Sequence, residues 1–373
     1  MKRVVKSIYA PTRYVFVADR FSNFISVTDI VSGEHVETLN FSMRPHVMEL
    51  ARDDAMLAVG SPEVSAIEFM NLRTRERRRV ELPSPVFQIF FVPQTNLVAV
   101  GLRDQVGMIS YKDFTVRIFP RRFDSDQRQT LINTYYSLLF SSFSQSFWVL
   151  DEDRPCIYHR YGGAEPLDAP WKIDLSRHIG TGSGLGIGVA SPEDDLLAMT
   201  TDDGSEGLVY FPAQDKVLST GPMRTVGSTN EPMIMPYIDA YSKHVIFADV
   251  TGNVAMFDLV NGNGKPERFR VNFSPRFVRT GWLESTWILA GDKGIMFQSF
   301  KDPSDRKIVR FVPEVMNMWV TGDSKTALYT LDEGAPAIYR FDIRTREQLP
   351  PIRVRGVTMA SMLRMGSNNS ICY

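Results

Sequence analysis

A chain of 373 residues with 43% apolar content can build a large core, and its formal net charge of −1 removes the global positive field that nucleic-acid binding exploits. Its two cysteines, Cys156 and Cys372, form neither a disulfide framework nor a thiolate metal cluster, and they fit a reducing compartment. No apolar run approaches the roughly 20 residues of a membrane span, and Lys6, Pro11 and Arg13 break any leader-like stretch. The expectation is therefore a cytoplasmic protein, or an extracytoplasmic one if the chain is a processed form.

An apolar strand-like segment recurs along the chain as Tyr14–Ala18, Met56–Gly60, Leu97–Gly101, Phe147–Leu150, Leu197–Thr200, Val245–Ala248, Trp287–Gly291 and Ala327–Thr330. Successive starts lie 42, 41, 50, 50, 48, 42 and 40 residues apart. A repeat of this period marks a solenoid, propeller or array. Each unit reads as four strands, A to D. In the first, A is Arg3–Ala10, B is Tyr14–Asp19, C is Ile25–Asp29 and D is Val36–Phe41, and Pro45 then opens the next A strand, Val47–Ala51. The turn after strand C repeats an apolar–Asp–apolar core at Asp29, Asp258 and Asp342, where a carboxylate accepts backbone N–H bonds. A→B turns carry Asp53-Asp54, Glu193-Asp194 or Asp323-Ser324, and D→A connections carry Pro45, Pro83, Pro85, Pro232, Pro275 or Pro313.

The basic segment from Arg73 to Arg79 falls in a C→D hairpin and reads as a solvated edge guarded by charge. Farther along, three neighbouring D→A connections are long. Residues 120–133 carry Arg121, Arg122, Asp124, Asp126 and Arg128; residues 176–184 carry His178; residues 219–231 carry Arg224 and Asn230. Connections longer than their siblings carry function or are disordered, so these residues are the candidate partner-binding set.

The glycine run from Gly180 to Gly188 fits no phosphate-binding register and reads as a loop entering a packed inner strand. Acidic residues at the ends of B strands (Asp19, Asp104, Asp151, Asp153, Asp202, Asp203, Asp249, Asp292 and Asp332) read as turn closers rather than cation ligands. Methionines in A strands, among them Met48, Met233, Met235, Met316, Met318 and Met365, read as core filler rather than a Cu(I) site. The five histidines form no ligand motif, and no metal, cofactor or catalytic residue is assigned.

The apolar B strand, the Asp turn after strand C and the Pro-opened A strand together resemble the β-propeller repeats of the WD40-like and YVTN families. No Gly-His…Trp-Asp signature is present. The resemblance implies an all-β fold: a single β-propeller of four-stranded antiparallel blades over residues 1–366, with eight blades favoured, seven the alternative, and a frayed tail at 367–373. The A-like segment Gly356–Met365 is placed to complete the blade begun at the N-terminus, which closes the ring and protects sheet edges. By analogy the resemblance implies a non-enzymatic scaffold gripping a protein partner within a larger assembly, with no cofactor. The alternatives are a propeller subunit of a redox (quinoprotein-type) enzyme and a small-molecule or metal-binding propeller.

Overall fold

A strand covered by sheets on both faces reads as a near-continuous apolar run, and the second strand of each repeat does. Tyr14–Asp19 and Met56–Ser61 are buried at every position. Burial then falls outward, so that the fourth strands Arg77–Glu81 and Arg306–Arg310 are largely exposed and charged. The computed structural model describes residues 13–51, 56–92, 95–102, 105–120, 138–141, 146–150, 157–162, 171–179, 184–192, 195–223, 233–311 and 313–365.

The fold is a β-propeller of four-stranded antiparallel blades. It has seven blades, the alternative above rather than the eight favoured from the sequence. The hydrogen-bonded ladders form eight four-stranded sheets among the described residues.

Two compact units share the chain, one of residues 1–103, 108–116 and 279–373, the other of 104–107 and 117–278. The first contains the sheet in which the two ends of the chain meet. Its order is His35–Asn40, Phe24–Asp29, Tyr14–Asp19, Ala360–Met365. The position expected of Arg3–Ala10, which lies outside the described residues, is thus taken by the C-terminal strand, with Val15 opposite Met365 and Val17 opposite Leu363. Asp19 fastens this junction, its Oδ1 accepting the backbone N–H groups of Thr358 and Met359 at 2.9 Å each. The same unit holds the sheets that begin with Val47–Leu50 and Val315–Val320, and most of those that begin with Val86–Phe91 and Ser274–Gly281.

The second unit holds three sheets, which begin with Leu138–Ser141, Leu185–Ala190 and Tyr237–Ile238. Its packing is close enough to require glycine. A Cβ on Gly207 would come within 2.4 Å of the Phe247 ring, and one on Gly188 within 3.3 Å of Leu139. The glycine run does enter a packed first strand, Leu185–Ala190, although residues 180–183 lie outside the described set. Among the described residues no helix is long and apolar enough to cross a membrane.

The turn chemistry is as expected. Asp29 Oδ1 accepts from Val31 and Ser32, and Asp258 Oδ1 from Val260 and Asn261. Asp342 Oδ1 accepts from Thr345, and Asn71 plays the same part for Arg73 and Thr74. The position four residues after the capping side chain takes a positive φ in several of these turns: 74° at Gly33, 65° at Arg75 and 58° at Arg346. The arginines of residues 73–79 sit on the edge hairpin, where Arg75 is ion-paired with Glu37, Arg77 with Glu68, Arg78 with Glu76 and Arg79 with Glu81.

Candidate functional site

Of the expected partner-binding residues, Arg121, Arg122, Asp124, Asp126, Arg128, Arg224 and Asn230 lie outside the described residues. His178 is described, in the turn after Trp171–Asp174, where its backbone N–H donates to Leu175 O. Its imidazole is held within the second unit. Nε2 stands 3.3 Å from Arg177 Nε and 3.2 Å from Asp215 Oδ1, and the ring tilts against Tyr210. Arg177 also pairs with Asp215. Burial and the adjacent Arg177 charge hold the imidazole below its usual range. Although the carboxylate at 3.2 Å would favour imidazolium, the arrangement is better read as a neutral ring whose Nε2 accepts from Arg177. His178 thus joins a small intramolecular network.

Only some of the acidic B-strand ends close turns; Asp19, as above, joins the two ends of the chain instead. Asp249 Oδ1 accepts from Thr251 N, Thr251 Oγ1 and Asn253 N, and its Oδ2 from Asn253 Nδ2. Asp203 likewise accepts from Ser205 N within its own turn, whereas Asp332 accepts from the distant Glu314 N and ties two segments together. Among the described residues no three His, Cys, Asp or Glu side chains gather as a metal site. Asp104, Asp151 and Asp153 lie outside the described set. Met48, Met233, Met318 and Met365 are buried core residues, whereas Met235 is exposed.

A different constellation emerges from a single position of the repeat. On the first strand of each unit, one residue faces the third residue of the second strand. It is Glu49 opposite Ala58, Phe90 opposite Ala99, Trp319 opposite Leu328 and Arg364 opposite Phe16. In the second unit the position is held by Leu139, Gly188 and Tyr237. Arg279 stands nine residues before Ile288, the spacing that separates Glu49 from Ala58 and Trp319 from Leu328. Polar and aromatic residues therefore gather at this position on one stretch of the first unit.

In that unit the first strands Val315–Val320, Ala360–Met365, Val47–Leu50 and Val86–Phe91 pack successively side by side. Alternation sends Met48, Met318 and Leu363 into the core. The neighbouring positions Glu49, Trp319 and Arg364 are only partly covered. Both guanidiniums face the indole of Trp319: Arg364 Cζ lies 4.7 Å and Arg279 Cζ 5.2 Å from the ring centroid. Such contacts favour cations over the ring face, more so when water is excluded.

Glu49 completes the row. Its Oε2 lies 3.6 Å from Arg364 Nε, within ion-pair range but too far for a hydrogen bond. Arg364 Nη1 donates to Leu363 O at 2.9 Å. Its Nε, like Trp319 Nε1 and Asn317 Oδ1, is buried without a hydrogen-bond partner. Burial pushes the Glu49 carboxyl above its usual range despite Arg364, and burial holds Arg364 below its own despite Glu49. Each partner loses more from desolvation than the long pair restores. Solvent still reaches 32% of the Glu49 side chain and 17% of that of Arg364. The row is thus electropositive, aromatic and under-bonded, and it is only partly covered.

None of these four residues stands out by local motif. The signal available in the sequence is the repeat itself: aligning the units on the second strand stacks Glu49, Arg279, Trp319 and Arg364 in one column otherwise filled by Phe90, Leu139, Gly188 and Tyr237.

No protein-family profile matches the chain, and no curated protein matches it. Solved structures do. The dihydro-heme d1 dehydrogenase NirN in complex with DHE superimposes with a TM-score of 0.72 at 13% identity, over 95% of this chain and 75% of that one. Apo AztD from Citrobacter koseri gives 0.64 at 10% identity, over 95% and 98%. A eukaryotic initiation factor gives 0.58 at 11%, over 94% and 97%. At these identities the likeness is one of fold.

Proposed function

We propose that this protein is a ligand-binding propeller whose first unit holds a small anionic molecule at Arg279, Trp319 and Arg364. The observation that carries this reading is the pair of guanidiniums set against one indole, with the donors Arg364 Nε and Trp319 Nε1 buried and unbonded. Buried donors without acceptors cost about 1–3 kcal/mol each, and an entering acceptor relieves that cost. That one fold neighbour was solved in complex with DHE accords with a propeller serving as a ligand holder. No reaction is assigned to the row.

The test is thermal unfolding of the full chain against a panel of small anions, with R279Q beside wild type. Binders should raise the midpoint of wild type and lose most of that effect in R279Q, since ligands that bind only the native state stabilise it by mass action. A panel in which no anion shifts wild type would sink the reading.

A second reading, a protein-interaction scaffold, is favoured by the length of the connections at residues 120–133, 176–184 and 219–231. Replacing 120–133 by a short turn should abolish capture of a protein partner under that reading and leave anion binding intact under the first.

A further inference from the structure

The row already contains an anion, and the way it is held indicates what the site is built to take. Glu49 reaches Arg364 but stops at 3.6 Å, leaving Nε unbonded. The guanidinium therefore has a carboxylate in range and no charge-assisted hydrogen bond from it, although such bonds are the strong ones. Trp319 Nε1, on the adjoining strand, is a second unspent donor. A free carboxylate brings two acceptor oxygens that are not tethered to the Val47–Leu50 strand. The indole and the two guanidiniums packed against it are planar, and this sets the rest of the preference, because planar conjugated rings stack on such groups and puckered rings do not.

We propose that the Arg279–Trp319–Arg364 row receives a small aromatic carboxylate, and that Glu49 is its internal stand-in, giving up Arg364 as the ligand enters. This rests on the ligand-binding reading above and specifies its chemistry. No covalent step is involved. The ligand carboxylate takes the place of the Glu49 carboxylate beside the guanidinium, and Glu49 turns toward the solvent that already reaches a third of its side chain.

The test is calorimetric titration of the full-length protein with three probes, benzoate, cyclohexanecarboxylate and inorganic phosphate, on wild type, E49Q and R364K. Benzoate should bind wild type. Cyclohexanecarboxylate, of the same charge and similar size, should bind about tenfold more weakly for want of a stacking face. E49Q, which keeps the shape and removes the competing charge, should tighten benzoate about fivefold. R364K keeps a cation on an apolar stem and tests the planar fork without burying a neutral group; it should weaken benzoate about tenfold. Circular dichroism establishes that each variant is folded.

The failures are separable. If none of the three probes binds wild type or E49Q, the ligand-binding reading falls, and this inference with it. Phosphate or cyclohexanecarboxylate binding as tightly as benzoate overturns the aromatic carboxylate while leaving an anion site. Benzoate binding that is unchanged in E49Q overturns the exchange with Glu49.

Discussion

At the scale of single residues, the carboxylates of this chain divide by what surrounds them. Glu49 has its carboxyl raised by burial, which the long pair to Arg364 does not offset. The folded state therefore holds that proton more tightly than the unfolded chain does. The stabilisation is complete below the unfolded carboxyl's value of about 4.3. It is lost as pH rises through the higher folded value, above which the curve is flat. E49Q mimics the protonated form, so it should melt above wild type at neutral pH and lack the decline. Midpoints measured from pH 4 to 8 that coincide for the two proteins would overturn this. Asp29 is the opposite case. Burial alone would raise it, but the Arg13 guanidinium and the N–H groups of Val31 and Ser32 prevail and hold it below the usual range. Its contribution is present above the unfolded value and disappears as pH falls through the folded one. Asp29→Asn keeps an acceptor for the turn and loses the charge, so urea titration at pH 7 should record a loss of about 1–2 kcal/mol, shrinking toward acid pH.

At the scale of strands and turns, the architecture was readable because each repeat states it twice, once in the buried second strand and once in the Asp-capped turn. Tyr14–Asp19 occupies the expected bounds, and Asp29, Asp258 and Asp342 close the expected turns. What the sequence concealed was the site, since a side chain's role in the row depends on its repeat position and on which units are neighbours. Glu49, Arg279, Trp319 and Arg364 are spread over more than three hundred residues, and only the packing of successive first strands brings them together. Positive φ was legible where glycine marks it, as at Gly33, and hidden where Arg75, Phe114 and Arg346 adopt it. Two glycines allow a controlled comparison of conformation with space. Gly252 has φ +99°, and a Cβ there would lie 2.4 Å from Val271 O; Gly264 has φ +76°, with its nearest neighbour, Leu218 Cδ2, at 3.5 Å. G264A should cost about 1 kcal/mol, the price of the left-handed backbone alone. G252A adds a clash with a rigid carbonyl and should cost about 3 kcal/mol or more. Equal losses by denaturant titration would show that the space around Gly252 is not the limiting factor.

At the scale of the molecule, stability depends on the ends of the chain meeting. Ala360–Met365 forms the fourth strand beside Tyr14–Asp19, and Arg364 on that strand belongs to the site. Without it the Tyr14–Asp19 strand, buried throughout, would present an unpaired edge, and exposed edges recruit other chains. Asp19 would lose both backbone donors, Thr358 and Met359, and its buried carboxylate would be left uncompensated. A chain ending at residue 355 should therefore lose its cooperative melt and elute from size exclusion as aggregate, whereas one ending at residue 365 retains the strand and should melt as the full chain does. Loss of the strand is separable from damage elsewhere by supplying it from outside. A peptide of residues 356–365 added to the shortened chain should restore a cooperative transition whose midpoint rises with peptide concentration, as mass action requires of a partner that binds only the folded state. The same peptide carrying R364K should restore the melt but bind benzoate more weakly, because the strand's pairing is a backbone property and the ligand's grip is not. A shortened chain that melts cooperatively without peptide would mean that the shared sheet is not what holds the first unit together.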